Sequence, residues 1–143
     1  MSDLKIERDL PAGVETVFAF VTQSKHLLKW WGPEGVEIKE ETLDFSEPGP
    51  WTSTMINNQG GRFKVSGEVL AVDPPNSVEF TWAWHNEEDQ RGDESVVRFL
   101  IEPNGNNRSM LTLIQTGLQG GKSRSNHNEG WTSSLRKLER LIA

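Results

Sequence analysis

Between Gly35 and Gln115 apolar side chains return at roughly every second residue, and no gap between the alternating segments is long enough for a helix. The alternation predicts strands over residues 36–44, 51–57, 62–72, 77–85, 95–102 and 109–115. Joining parallel strands takes a crossover of about a dozen residues or more, usually helical. These six strands must therefore run antiparallel, as a meander. The stretches 57–61 (Asn-Asn-Gln-Gly-Gly) and 103–107 (Pro-Asn-Gly-Asn-Asn) supply hairpin loops, and Asp73-Pro74-Pro75-Asn76 supplies a tight connection. One face of such a sheet needs a cover, which the ends of the chain must provide as helices.

The ends carry that signal. Residues 5–10 alternate as a further strand, interrupted by Pro11 and Gly13. Val14, Val17, Phe18 and Val21 fall at i, i+3, i+4 and i+7, one face of a helix. Ser24 is placed to cap a second short helix through residues 26–30, which Gly32-Pro33 ends. His127, Trp131, Ser134, Leu135, Leu138 and Ile142 form the inner stripe of a long helix over 123–142, with its apolar weight toward the C-terminal end. The order is β-α-α-β6-α, an α+β chain read as one domain over 1–143. Val78, Phe80, Trp82 and Trp84 alternate with Glu79, Thr81, Ala83 and His85, so one sheet face is apolar and the other polar and wet. Gly67 interrupts a strand and predicts a bulge that bends the sheet. A bent sheet gripping a helix leaves a cavity between them.

Composition excludes several function classes. With 25% charged residues and 34% hydrophobic ones the chain is neither disordered nor membrane-spanning. Without cysteine it has no disulfide, thiol nucleophile, Cys-ligated zinc site or iron–sulfur centre. The net charge is −6, with 9 basic and 19 acidic side chains in residues 1–102 against 6 and 2 in 103–143. That balance argues against nucleic acid as a partner. The first residues lack a basic segment followed by an apolar one, so the expected location is cytoplasmic.

Four patterns invite a chemical reading. Residues 117–123 (Gly-Leu-Gln-Gly-Gly-Lys-Ser) resemble a phosphate-binding loop, but G-x-x-x-x-G-K-[ST] needs glycine where Thr116 stands. In an antiparallel meander the stretch reads instead as a glycine connection into a helix. ATP binding is not expected, and Lys122→Ala should leave any ligand affinity unchanged. His26, His85 and His127 show no metal-ligand spacing, and only His127 lies on an inward stripe. The acidic residues of loop 87–94 lack a calcium-ligand pattern. Six tryptophans are many for 143 residues, and around a hollow they favour a pocket that stacks on flat ligands.

Trp30-Trp31-Gly32-Pro33, the stretch 67–75 (Gly-Glu-Val-Leu-Ala-Val-Asp-Pro-Pro) leading into 78–82, and the stretch 127–138 from His127 to Leu138 occur in the order found in one family. With them the chain resembles the Hsp90 ATPase activator homologue-like family of the START/Bet v 1-like superfamily. The resemblance spans essentially the whole chain. It implies a helix-grip fold, a curved antiparallel sheet around a long C-terminal helix, with a hydrophobic cavity. Superfamily relatives carry lipids, bind hormones or polyketides, or catalyse cyclisation. The chain departs from the family pattern at Pro50, where glycine is frequent, and at Gln115, where histidine is common.

The expected function is binding of a hydrophobic or aromatic small molecule. The expected lining is Trp30, Trp31, Phe63, Phe80, Trp82 and Phe99, completed by Leu113, Gln115, His127, Gly130, Trp131 and Ser134. Gln115, His127 and Ser134 are the expected polar contacts. No cofactor and no metal is expected, and the chain is read as a monomer or weak homodimer. A Hsp90-co-chaperone-like interaction module is the first alternative. A cyclase or hydrolase using His127 as acid–base is the second, and no nucleophile or paired constellation in the sequence supports it.

Overall fold

The computed structural model describes residues 2–142. The elements are β1 (Ser2–Leu10), α1 (Val14–Thr22), α2 (Ser24–Trp30), β2 (Glu37–Glu41), β3 (Gly49–Ile56), β4 (Arg62–Asp73), β5 (Ser77–Trp84), β6 (Ser95–Pro103), β7 (Ser109–Leu118) and α3 (Gly120–Ile142). One curved sheet contains all seven strands in the order β1-β7-β6-β5-β4-β3-β2, every pair antiparallel. The meander is the one read from the alternation. The first strand completes it by pairing with the last, Lys5 opposite Ile114 and Ile6 opposite Leu113. The three helices lie against the apolar face, which gives the helix-grip architecture.

Several expectations change in detail. The edge strand β2 stops at Glu41 rather than running to residue 44. Beyond it the chain turns inward: Glu41 Oε1 accepts the Leu43 N–H at 2.7 Å, and the Phe45 N–H reaches the Thr22 carbonyl at 2.8 Å. Leu43 and Phe45 are thereby buried, and Phe45 stacks on Phe80 with ring centres 4.3 Å apart. Gln23, not Ser24, is the N-cap of α2, without a side-chain cap bond; Ser24 is the first helical residue. The glycines before residue 123 are not a loose connection, because α3 begins at Gly120.

Gly67 and the bulge are separate features. The extra residue in β4 is Leu70, since Val69 pairs with Phe80 and Ala71 with Glu79. Val65 and Val69 face the core before it and Val72 packs on the core after it, so the side-chain parity switches across Leu70. Gly67 serves close approach instead: a Cβ there would lie 1.9 Å from the Thr81 carbonyl oxygen. The polar face is also less wet than expected. Glu79 and Arg98 pair across β5 and β6 at 3.5 Å, Arg98 exposed and Glu79 half-buried, yet Thr54, Ser66, Thr81 and Ala83 are buried.

Candidate functional site

The C-terminal half of α3 seals the core. Trp131, Ser134, Leu135 and Leu138 are buried, and Trp131 lies 6.1 Å from Phe99 and 5.1 Å from Trp82, ring centre to ring centre. Its first two turns are mostly polar and bury no residue against the sheet. There a half-open hollow of about 640 Å³ remains, inside the ~300–1,000 Å³ range of ligand sites. The segment after α2 contributes Trp31, Gly32 and Pro33; the strands contribute Met55, Phe63, Trp82 and Trp84. Gln119 and α3 close it with Lys122, Ser123, Asn126, His127, Gly130, Trp131 and Ser134. A smaller hollow of about 280 Å³ adjoins it, sharing Trp82, Trp84, Gln119, Ser123 and His127, and adding Asp93.

Seven of the residues expected to line a cavity meet here: Trp31, Phe63, Trp82, His127, Gly130, Trp131 and Ser134. Trp30, Phe80, Phe99, Leu113 and Gln115 do not. All five are fully buried behind the wall. Trp30 fills the space over Phe99 at 6.2 Å and donates its indole N–H to the Phe20 carbonyl at 2.8 Å. The middle of the sheet is thus packed solid, and the hollow lies toward β3, β4 and β5. Gln115 is spent internally: its Oε1 accepts the Trp131 N–H at 2.8 Å and its Nε2 donates to Ser95 Oγ at 2.8 Å. Both ends of the amide are engaged inside the core, and Gln115 is closed off from both hollows.

Met55, Trp84, Gly32, Pro33, Gln119, Lys122, Ser123 and Asn126 were missed. For some the signal was present. Trp84 shares parity with Trp82, and Ser123 precedes His127 by one helical turn.

Two of the aromatic walls are anchored from behind. Trp31 touches Trp30, Phe45, Trp51, Trp82 and Trp131, with ring centres 5.6–6.2 Å apart, and its N–H reaches Ser53 Oγ at 3.1 Å. Trp131 is held by Gln115. Trp82 differs: its indole N–H is buried without a hydrogen-bond partner.

His127 is fully engaged. Its Nδ1–H donates to the Ser123 carbonyl at 2.7 Å, which leaves Nε2 to accept the Trp84 N–H at 3.0 Å. Neither nitrogen is free for acid–base work. Burial, partly opposed by the Ser123 carbonyl, lowers its pKa below the ordinary 6.5. The unfolded chain therefore takes up this proton more readily than the folded one. The stabilisation from neutral His127 is complete above about pH 6.5 and declines as pH falls from there toward the folded value. Denaturant midpoints should fall between about pH 7.5 and pH 5, and His127→Gln should flatten that slope. The slope left over belongs to His26, which is also lowered, chiefly by burial. An unchanged slope in the variant would remove His127 from this account.

A second cluster was invisible in the sequence. On the outer face, Ser66 Oγ lies 2.6 Å from His85 Nε2, and His85 Nδ1 lies 2.7 Å from Asp89 Oδ1. The order of contacts is that of a hydrolytic triad, but the surroundings are not. Arg91 covers the serine, its Nε donating to Oγ at 3.0 Å and a terminal nitrogen donating to the Ser66 carbonyl at 3.1 Å. Ser66 is 8% exposed and lines neither hollow, so an acyl carbon has no path to Oγ. The cluster pins the loop after β5, where Asp89 holds a positive φ of 62° and Lys64 pairs with its carboxylate at 3.1 Å. A fluorophosphonate probe should leave the protein unlabelled; labelling at Ser66 would reverse this assignment. Among the described residues no group of three or more His, Asp or Glu side chains is placed to hold a metal ion, and no helix is long and apolar enough to cross a membrane.

A family model described as activator of Hsp90 ATPase homolog 1-like protein matches residues 11–143. The crystal structure of the AHSA1 protein from Silicibacter pomeroyi is 46% identical in sequence, with 99% of this chain and 97% of that one covered and a TM-score of 0.94. A crystal structure of a Chromobacterium violaceum protein, 20% identical, covers 99% and 98% at a TM-score of 0.84. One from Mycobacterium smegmatis, also 20% identical, covers 99% and 90% at 0.81. These two share the fold. No curated protein matches the chain.

Proposed function

The chain belongs to the activator of Hsp90 ATPase homolog 1-like family, and from the hollow beside α3 we propose that it binds a flat, apolar small molecule. The observation that carries this reading is the wall. Trp31, Met55, Phe63, Trp82, Trp84 and Trp131 converge on one half-open space. Phe63 stands 48% exposed at its edge, a cost that a bound apolar surface would offset at about 25 cal/mol per Å² covered. The hollow offers contact area and little chemistry: it has no nucleophile beside a free base and no carboxylate in its lining. A surface that assists a chaperone is supported by family membership alone.

The test uses N-phenyl-1-naphthylamine, an uncharged probe that brightens in apolar surroundings. It should bind one-to-one and perturb tryptophan emission without unfolding the protein. Gly130 is the residue to enlarge. A Cβ there would meet only Pro33 Cγ, at 3.8 Å, and glycine inside a helix costs about 1 kcal/mol relative to alanine. Gly130→Leu should therefore fold normally while filling the gap between α3 and Pro33. Probe affinity should drop about tenfold or more. Equal binding to wild type and variant would put the interaction-module reading first.

A further inference from the structure

Resting on that reading, we infer that the natural ligand carries one acidic group, as an aromatic or aliphatic monocarboxylate does, held at the Lys122 end of the hollow. Lys122 is the only charged residue in the lining, and it has neither an ion pair nor a hydrogen-bond partner among the described residues. On a chain of net charge −6, an unpaired cation at the mouth of an apolar hollow is an unusual placement.

A further feature has the same sign. Lys122, Ser123 and Asn126 lie in the first two turns of α3, a helix of 23 residues with no acidic residue in its first turn. The unpaired N–H groups of that turn place about half a positive charge at this end. The lining contains no carboxylate, and His127 Nε2 is already taken by the Trp84 N–H. The opposing charge is Asp93, which lines the smaller neighbouring hollow. It would repel an acid from that side, so the acidic group belongs with Lys122. This reverses the expectation that Lys122→Ala is silent for ligand affinity. In the sequence Lys122 stands out only as a phosphate-loop lysine.

A matched pair of probes isolates the charge. 1-Anilinonaphthalene-8-sulfonate has the ring system of N-phenyl-1-naphthylamine plus one anionic group. Wild-type protein should bind the anion about tenfold more tightly than the neutral probe, an advantage that shrinks with added salt. Lys122→Glu should abolish the preference, read as the ratio of the two affinities in the same variant so that any loss common to both probes cancels; Lys122 is exposed and unpartnered among the described residues, so the fold is not at risk. Neutral binding without an anion preference, or a preference that survives Lys122→Glu, overturns the inference and spares the pocket. Failure of both probes removes the pocket reading and the inference together.

Discussion

Replacing Trp31 with alanine should destabilise the protein by about 3–5 kcal/mol, the usual cost of deleting a large buried aromatic side chain. Trp31 is 2% exposed and sits where five aromatic rings converge, so no neighbour can relax into the space without losing its own contacts. The change also strips Ser53 Oγ, itself buried, of the indole N–H that reaches it. Trp31→Phe separates the two effects. It keeps a ring in place and loses the hydrogen bond, and should cost markedly less. Urea denaturation followed by far-ultraviolet circular dichroism gives both values without relying on the tryptophans being altered. A loss below about 1 kcal/mol for the alanine variant would mean that the cluster repacks freely. Trp31 also lines the hollow, so the phenylalanine variant should widen it and change probe affinity more than it changes stability.

Gly67→Ala should be damaging despite adding a single methyl group. The new Cβ would stand 1.9 Å from the Thr81 carbonyl oxygen and 2.6 Å from its carbon. Backbone has no rotamer to adopt. The same carbonyl accepts the Trp51 N–H at 3.2 Å, and Thr81 Oγ1 accepts the Glu68 N–H at 2.8 Å. Relieving the overlap means parting β4 from β5 just before the bulge at Leu70, so the expected loss is about 3 kcal/mol or more. Gly130→Ala provides the opposite case in the same protein. Its Cβ has room, and it should gain up to about 1 kcal/mol from helix propensity. Equal stabilities for the two variants would show that backbone contact at Gly67 is not what fixes glycine there.

How much of this was readable in the sequence depends on which interactions decide each feature. The meander was readable because Val78, Phe80, Trp82 and Trp84 alternate strictly, and because no connection leaves room for a crossover. Both are properties of neighbours along the chain. The inner stripe of α3 was readable for the same reason. The bulge was placed at Gly67 because a glycine in a strand is a local signal, whereas the parity switch at Leu70 depends on how β4 and β5 pair. Of the candidate site, the tryptophan-rich character and the glycine gap at Gly130 were legible in the sequence. Its floor was not: Phe80, Phe99 and Leu113 have the right parity to line a cavity, yet Trp30 and Trp131 fill the space above the middle of the sheet.

Periodicity therefore determined which face each side chain takes, and so the architecture. Only the tertiary structure decided which apolar side chains touch one another and which face empty space, because that depends on the summed volumes of residues far apart in sequence. The same holds for polar groups. Gln115 looked like a ligand contact until Trp131, 16 residues on, was found to use it. Ser66, His85, Asp89 and Arg91 carried no motif at all, because β4, β5 and the returning loop bring them together across the sheet. Lys122 looked like half of a broken motif. What it is suited to do follows from its place on the rim of an aromatic hollow, an arrangement that comes into being only when helix and sheet pack.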